Sequence, residues 1–358
     1  MVLTRRALNR ATLSRQLLLV RSPMTAYQAV SHLVGMQAQA PNPPYVGLWT
    51  RLRDFGHADL TELMVSRAVV RIGVMRGTIH LVTDEDCLGL RPLVQPVLDR
   101  WFASSYAKRL PGVDHAELAA AARTLVEEQP RTFAELGGLL GELWPDVDAE
   151  ALAQAGRAML PLVQVPPRGL WGQSGQASHT TAEQWLGRPL AEPDPDGVVV
   201  RYLAAYGPAT VKDIQTWCGL TRLKEVVQRL DVRVFRGEDG AELYDLPDAP
   251  RPGEDVEAPV RFLPEFDNLL LSYADRTRVM SAEYRKKVFT VNGIIRSTIL
   301  VDGEVRGLWR LATKRGVATL VIEPFAPLGS DERDQLSVEG ARLLEFAAED
   351  AVHDLVFQ

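Results

Sequence analysis

The sequence contains few of the residues that build metal centres and disulfide frameworks. Its 358 residues include only two cysteines, Cys87 and Cys218, and these lie far apart in the chain. The six histidines show neither HxH nor HxxxH spacing. These absences argue against a zinc finger, an iron–sulfur cluster and a disulfide scaffold. We therefore expect no metal, no cofactor and a reduced, cytoplasmic environment.

Long apolar runs and several catalytic motifs are also missing. Apolar stretches such as Leu17–Val20 are far too short to span a bilayer, so no membrane association is expected. The N-terminus lacks the continuous apolar segment of a secretion signal. No GxSxG, GxxxxGK(S/T) or post-strand GxGxxG motif is present, which disfavours α/β-hydrolase, P-loop and Rossmann chemistry. The lysines are few, and none lies in an apolar segment that would suit a Schiff base.

Acidic residues are absent from residues 1–53, although the whole chain carries 46 acidic against 40 basic side chains and a net charge of −6. That segment contains Arg5, Arg6, Arg10, Arg15, Arg21, Arg51 and Arg53. Two further basic clusters lie within residues 276–287 and 296–315, and acid is concentrated in Glu238–Glu257 and residues 321–358. Clustered positive charge can bind phosphates by counterion release even on an acidic protein. The alternative is that these clusters are solvated faces without a partner.

Two segments repeat one pattern of helix breaking and helix capping. The segments from Pro130 to Leu136 and from Pro208 to Ile214 both read P-x-T-x-x-acid-aliphatic. The proline ends one helix, the threonine caps the next, and the acid lies in the first turn, where the helix dipole favours it. A further helix follows each copy, over Ala149–Leu160 and over Leu223–Leu230, and extended chain follows that helix. This order is the plan of a winged helix-turn-helix.

The rest of the chain completes an α+β architecture. The N-terminal part fits the same plan, with helices over Thr4–Leu18, Ala26–Met36 and Leu60–Ser66 and a β-pair over Val69–Met75 and Thr78–Leu81. We therefore predict three tandem winged-helix units, over residues 1–110, 111–190 and 191–255.

From about Pro259, apolar residues recur at every second position, which is the pattern of β-strands. Asn292-Gly293 and Asp302-Gly303 are strong hairpin signals, so we predict a β-meander that starts at Val288. An amphipathic helix over Asp331–Asp350 closes the chain. Residues 256–358 thus form a β-rich C-terminal region, which follows a linker at Arg251–Val256.

An unusual pair of amides lies in the segment from Met36 to Tyr45, which reads MQAQAPNPPY and ends a mostly apolar predicted helix. Gln37 and Gln39 are two residues apart, so an extended or loosened helix end would project both to one side. Paired amides can hold a water molecule or direct carbonyl dipoles at a developing cation. The alternative is that both are ordinary surface glutamines.

Two further segments carry polar groups among apolar neighbours. Arg76, Thr78 and His80 alternate, so in a strand they would share one face and suit a phosphate or a sugar. The alternative is an ordinary half-buried strand. Asp267 and Asn268 interrupt an apolar run and would either cap a turn or enter a pocket. Asp267 is also the carboxylate that chain folding could place beside Gln37.

Together, MQAQAPNPPYVGLW, MRGTIHLV and FLPEFDNLLLSYADR resemble the winged-helix DNA glycosylases of the AlkZ/YcaQ type, and the resemblance covers essentially the whole chain. It implies tandem winged helices in a C shape around DNA. It also implies that Gln37 and Gln39 are the catalytic Gln-x-Gln of the AlkZ branch, because the YcaQ branch has Asp at the second position. The implied reaction is excision of N7-alkylated guanine, including the unhooking of interstrand crosslinks in self-resistance to azinomycin-type toxins.

The residues are compatible with that chemistry. Guanine alkylated at N7 is cationic and already a good leaving group, so positioned water and stabilisation of the sugar cation suffice. We expect a monofunctional repair glycosylase without lyase activity, monomeric and nucleoid-associated, whose partner is double-stranded DNA with alkylated or crosslinked guanine. Asp267 and Asn268 are candidate pocket residues. The candidate DNA-binding residues are Arg5, Arg6, Arg10, Arg76, Thr78, His80, Arg276, Arg278, Lys286 and Lys287.

Two other functions are compatible with the same fold. A winged-helix transcriptional regulator would read DNA through a helix such as the one near residues 222–229, where the candidate reading residues are Arg222, Lys224, Gln228 and Arg229. The alternative is a scaffold that uses winged helices for protein contacts. Salt-dependent binding to DNA would exclude the scaffold.

Overall fold

A computed structural model describes all residues from 1 to 358 and has a mixed α+β fold. In the first part of the chain, short strands alternate with helices. These elements are β1 (Val2–Leu3), α1 (Arg5–Arg15), α2 (Ala26–His32), β2 (Met36–Gln37), α3 (Pro43–Trp49), α4 (His57–Val65), β3 (Val69–Gly73), β4 (Ile79–Thr83), α5 (Asp84–Leu93) and α6 (Gln95–Ser105). The helices predicted after Thr4 and over residues 60–66 are therefore present, with shifted ends.

The middle of the chain contains both predicted repeats. Its elements are α7 (His115–Glu128), α8 (Phe133–Leu143), α9 (Ala149–Met159), β5 (Leu162–Gln164), β6 (His179–Thr181), α10 (Ala182–Leu186), α11 (Pro195–Tyr206), α12 (Val211–Cys218), α13 (Lys224–Arg229), β7 (Arg233–Gly237) and β8 (Glu242–Asp245). The predicted caps form in both copies. Thr132 accepts from the backbone of Glu135 at 3.2 Å, and Thr210 accepts from that of Asp213 at 3.0 Å.

The C-terminal region is built on a five-stranded sheet in the order β13-β12-β11-β10-β9. Its elements are β9 (Arg261–Leu263), α14 (Asn268–Leu271), α15 (Ala282–Val288), β10 (Thr298–Val301), β11 (Glu304–Lys314), β12 (Val317–Pro324), α16 (Ser330–Ala347) and β13 (Val352–Phe357). The predicted strand at Val288 is wrong. Ser281 caps α15, which runs to Val288, and only one β-bridge, between Phe289 and Ile295, remains of the expected pairing.

The candidate site lies beside a second five-stranded sheet, in the order β2-β4-β3-β5-β6. This sheet joins strands from two of the predicted units, and the division into three units remains a prediction. One hydrophobic core packs α2, α3 and α4 against β9, β12 and α16, so the N-terminal helices and the C-terminal sheet are not independent. None of the helices is long and apolar enough to cross a membrane.

Candidate active site

Gln37 lies on strand β2 and not at the end of a helix, which corrects the prediction for this segment. Helix α2 ends at His32 because Val34 and Gly35 adopt positive φ angles of 53° and 89°. A side chain at position 35 would place its Cβ 2.7 Å from Val82, so glycine is required there. The chain then runs antiparallel to β4, with Gln37 opposite His80.

The Gln37 amide is buried and its orientation is fixed. Gln37 is only 7% exposed. Its Oε1 accepts a hydrogen bond of 2.8 Å from Nη2 of Arg76. A guanidinium group can only donate, so the amide oxygen must face Arg76. The Nε2 group has no partner within the protein. The Nε2 donor of Gln37 is therefore unused within the protein, whereas its carbonyl oxygen already accepts from Arg76.

Arg76, Thr78 and His80 hold Gln37 in place from within the protein. Arg76 has a φ of 57° in a single 3-10 turn before β4, and it also donates to the carbonyl of Trp217. Burial lowers the pKa of His80 to about 3, so its ring is neutral. Its Nδ1 donates to the Thr78 carbonyl at 3.0 Å, and its Nε2 accepts from Arg76 at 3.4 Å. We therefore treat Arg76 and His80 as positioning residues and not as part of the predicted DNA-binding surface, whereas a DNA contact by the half-buried Thr78 stays a prediction.

Gln39 lies in a more exposed environment than Gln37. It is exposed and makes no hydrogen bond within the protein. It borders a cleft of about 490 Å³ whose other walls include Arg71, Phe133, Gln164, Arg168 and His179. The reason is that β2 ends at Gln37, after which the chain bends through residues 39–42.

The Gln39 cleft is basic and contains a histidine with one ring nitrogen that has no hydrogen-bond partner. Arg71 donates to Oε1 of Gln164 at 3.1 Å and to the Ala38 carbonyl at 2.8 Å, and no carboxylate pairs with it. Burial lowers the pKa of Arg71 to about 10 and that of His179 to about 4. His179 stacks on Phe133 at 4.1 Å, and its buried Nε2 has no hydrogen-bond partner. The cleft therefore has donors and neutral acceptors but no group that is acidic at neutral pH.

A second cavity, of about 750 Å³, shares Arg168 with the first, and we call it the second section of the cleft. Arg168 borders both sections, and the second is also lined by residues 40–43, Glu265, Arg296 and Trp309. Glu265 is the only acidic side chain along either section. Sequence reasoning quoted it within FLPEFDN but attached no role to it, because its position against the Gln39 segment depends on contacts between distant parts of the chain.

Asp267 and Asn268 do not line a pocket, which corrects that prediction. The Asp267 carboxylate accepts two hydrogen bonds of 2.8 Å from Arg51, and neither side chain of this pair has any exposed surface. Asp267 also caps α14 by accepting from the backbone of Leu269. Asn268 donates to the Gly35 carbonyl at 2.8 Å. Both residues therefore brace the chain on either side of Gln37 and Gln39.

The N-terminal arginines do not form a positive face. Arg6 and Arg10 both pair with Asp302, and the Arg10 side chain is fully buried. Four acids, Glu238, Glu254, Asp302 and Glu304, share one surface depression with Arg5, Arg6 and Arg10. Charge that is clustered along the sequence is thus balanced in space by distant acids. We do not include Arg5, Arg6 and Arg10 in the DNA-binding surface.

The second basic cluster is divided between the interior and the surface. Arg278 is buried, donates to the Pro208 carbonyl at 2.8 Å and stacks on Tyr273, so it is also removed from the DNA-binding surface. Arg276 is half-buried and donates to the Leu270 carbonyl at 2.6 Å. Lys286 and Lys287 are exposed on α15 and make no ion pair with an acid. These two lysines remain candidates for phosphate contact.

Comparisons with known proteins agree with this geometry. A family model described as DNA glycosylase AlkZ-like matches residues 30–346. A protein of Streptomyces sahachiroi named interstrand DNA cross-link repair glycosylase is 24% identical over 342 residues, which are 87% of this chain and 88% of that protein. The solved structure of Streptomyces sahachiroi DNA glycosylase AlkZ, at 20% identity, superposes with a TM-score of 0.84 over 100% of both chains and has the same winged-helix fold. The chain belongs to the AlkZ-like family of DNA glycosylases.

Proposed function

We propose that this DNA glycosylase hydrolyses the N-glycosidic bond of guanine that carries an alkyl group, and hence a positive charge, at N7. We extend the proposal to guanines joined through N7 in an interstrand crosslink, including crosslinks formed by a toxin against which the host protects itself. The name of the Streptomyces sahachiroi relative supports the crosslink for that protein. For this chain the support comes from the groups that surround the two amides.

The observation that carries the proposal is the absence of a proton donor at Gln37 and Gln39. The side chains around Gln37 are the guanidinium of Arg76 and the neutral ring of His80. Those around Gln39 are amides, arginines and the neutral His179. A neutral base such as uracil leaves with a negative charge, which a general acid would neutralise, whereas cationic 7-alkylguanine leaves as a neutral molecule. The site therefore suits cationic lesions.

The decisive experiment compares two bases in the same duplex. We expect the protein to release 7-methylguanine faster than spontaneous depurination and to leave uracil and 8-oxoguanine in place. Free base and abasic sites are measured in single-turnover assays. Release of uracil at a comparable rate would contradict the proposal, because the rate would then not depend on a positive charge on the leaving base.

We also propose that the enzyme is monofunctional. Strand cleavage by a glycosylase requires an amine that forms a Schiff base with the sugar. No lysine lines either section of the cleft. Abasic sites formed by the protein are therefore expected to remain uncut until alkali is added. Trapping of a covalent protein–DNA adduct with borohydride would contradict this expectation.

DNA binding is expected to depend on Lys286 and Lys287. Replacing both with alanine should weaken binding to all duplexes alike and lower the slope of log affinity against log salt by about 1 per lysine. The matched control is the Arg5→Ala, Arg6→Ala variant, because that surface is already neutralised by acids. Fluorescence anisotropy at several salt concentrations measures both slopes. A larger change in the control would mean that the N-terminal arginines contact DNA.

The alternative of a transcriptional regulator receives little support from helix α13. Helix α13, the candidate reading helix, has only six residues. Its Arg229 pairs with Asp196 on a neighbouring helix instead of pointing free into solvent. A reading helix needs several free polar side chains that enter the major groove. We therefore do not propose sequence-specific recognition.

A further inference from the structure

Glu265 lies in a turn between β9 and α14 and borders the second section of the cleft. The same section is lined by residues 40–43, which directly follow Gln39. Three arginines, Arg168, Arg296 and Arg310, are the other charged groups that line it, and no lysine, histidine, tyrosine or cysteine does so. Glu265 is thus the single carboxylate in a section of the cleft whose other charged groups are arginines, and residues 40–43, which follow the Gln-x-Gln motif, line the same section.

The turn that carries Glu265 is rigidly connected to the amide segment. Its neighbour Asp267 holds Arg51, which also donates to the Gly47 carbonyl of α3 at 2.9 Å. Helix α3 is the helix that follows Gln39. On the other side, Asn268 holds the Gly35 carbonyl, two residues before Gln37. The position of Glu265 relative to both amides is therefore fixed by buried contacts rather than by a flexible loop.

The local backbone shows that the turn is constrained. Phe266 adopts a φ of 58°, a conformation that costs free energy for a residue with a Cβ. Its N–H donates to the Ile295 carbonyl at 3.2 Å, which ties the turn to the segment before β10. Strained backbone of this kind persists only where surrounding contacts enforce it. Here the contacts enforce a turn that directs residue 265 towards the cleft.

Glu265 has no partner, although cations are close by. It makes no hydrogen bond and no ion pair, whereas Arg310 of the same section pairs with Glu323 at 3.1 Å. Partial burial raises the pKa of Glu265 above the ordinary value for glutamate. A half-buried carboxylate without a partner is costly to the fold, so it calls for another explanation.

We propose that Glu265 is the catalytic carboxylate of this glycosylase and accepts a proton from the attacking water. The inference rests on the function proposed above. The bond between C1′ and N9 breaks, and its electron pair goes to N9, so that the cationic base leaves as neutral 7-alkylguanine. A bond forms between the water oxygen and C1′, and one proton of that water moves to Glu265. The products are a free base and an abasic sugar with a hydroxyl at C1′.

Proton acceptance by Glu265 complements what the amides of Gln37 and Gln39 can do. The Nε2 group of Gln37 is free to donate and Gln39 has an exposed amide, so both can orient water or the sugar, but an amide is not basic enough to remove a proton from water. A carboxylate also stabilises the developing positive charge of the sugar while it accepts the proton. Glu265 therefore supplies the one function that the Gln-x-Gln motif lacks.

The test is Glu265→Gln, measured for release of 7-methylguanine under single-turnover conditions after subtraction of spontaneous loss. We expect the rate to fall by about 10²- to 10⁴-fold while DNA binding and the melting temperature stay at wild-type values. The matched control is Glu345→Gln, an exposed glutamate of α16 without an ion pair, which should keep the wild-type rate. Glu265→Ala serves as the second variant if the glutamine variant does not fold.

The pH dependence separates a base from a merely structural residue. The reaction needs the ionised carboxylate, so the wild-type rate should fall as the pH drops through the pKa of Glu265. Because that pKa is raised, the fall should begin at a higher pH than for an ordinary glutamate, and Glu265→Gln should abolish this dependence.

Each of three results would overturn one specific claim. No release by the wild-type protein would remove the proposed function and the inference together. Release by the wild type with an undiminished rate in Glu265→Gln would overturn the inference alone. A slow Glu265→Gln variant whose rate still falls as the pH drops would exclude proton transfer to Glu265.

Discussion

The Gln37→Ala, Gln39→Ala double variant is expected to release 7-methylguanine at least about 10²- to 10³-fold more slowly than the wild type. Loss of one positioned polar contact to the reacting groups has an effect of that size, and the double variant removes both. DNA binding should change little, because Gln37 is buried and the lysines proposed to contact phosphate lie elsewhere, on α15. Single-turnover release and anisotropy on the same duplex measure the two effects. Near wild-type release would contradict the assignment of the motif.

The single variants are expected to differ in stability. Gln37→Ala leaves the guanidinium of Arg76 without its amide acceptor in a buried place, which should cost about 1–3 kcal/mol. Gln39→Ala removes no hydrogen bond and should leave the free energy of unfolding unchanged. Gln39→Ala is thus the cleaner test of catalysis. Gln176→Ala is its matched control, because Gln176 is an exposed amide in the same cleft outside the motif.

Features that depend on neighbouring residues could be predicted from the sequence. The caps at Thr132 and Thr210 form as expected, because a threonine and an acid three residues later satisfy each other locally. The extended chain of β7 and β8 and the long helix α16 were predicted from local patterns as well. The family was also predicted correctly from three ordered motifs.

Features that depend on distant residues could not be predicted. The strand at Gln37 exists because it pairs with β4, and nothing in the local sequence requires that pairing. Arg10 is neutralised by Asp302, far along the chain, so a charge count over residues 1–53 misses it. β13 was not predicted, because it is added parallel to β12 after a full helix. The candidate role of Glu265 was overlooked for the same reason. That role depends on residues 40–43, which are distant in sequence but line the same section of the cleft.

Removing the charge of Asp267 is expected to destabilise the protein severely. Its carboxylate and the Arg51 guanidinium are both fully buried and form two hydrogen bonds of 2.8 Å. Asp267→Asn keeps the shape but leaves the arginine charge without compensation, which should lower the free energy of unfolding by about 3–5 kcal/mol. Urea unfolding monitored by circular dichroism measures the change. The control is Asp196→Asn, which breaks the exposed pair with Arg229 and should cost at most about 1 kcal/mol.

The same variant decides whether Asp267 acts in the reaction or only in the fold. If Asp267 braces the turn, the folded Asp267→Asn protein at low temperature should still release 7-methylguanine, more slowly because Glu265 and the amides are less well aligned. Its release rate should still fall as the pH drops through the pKa of Glu265. Adding Arg51→Met to Asp267→Asn removes the uncompensated charge, so the double variant should be more stable than Asp267→Asn alone. A fully stable Asp267→Asn protein without activity would instead place Asp267 in the chemistry.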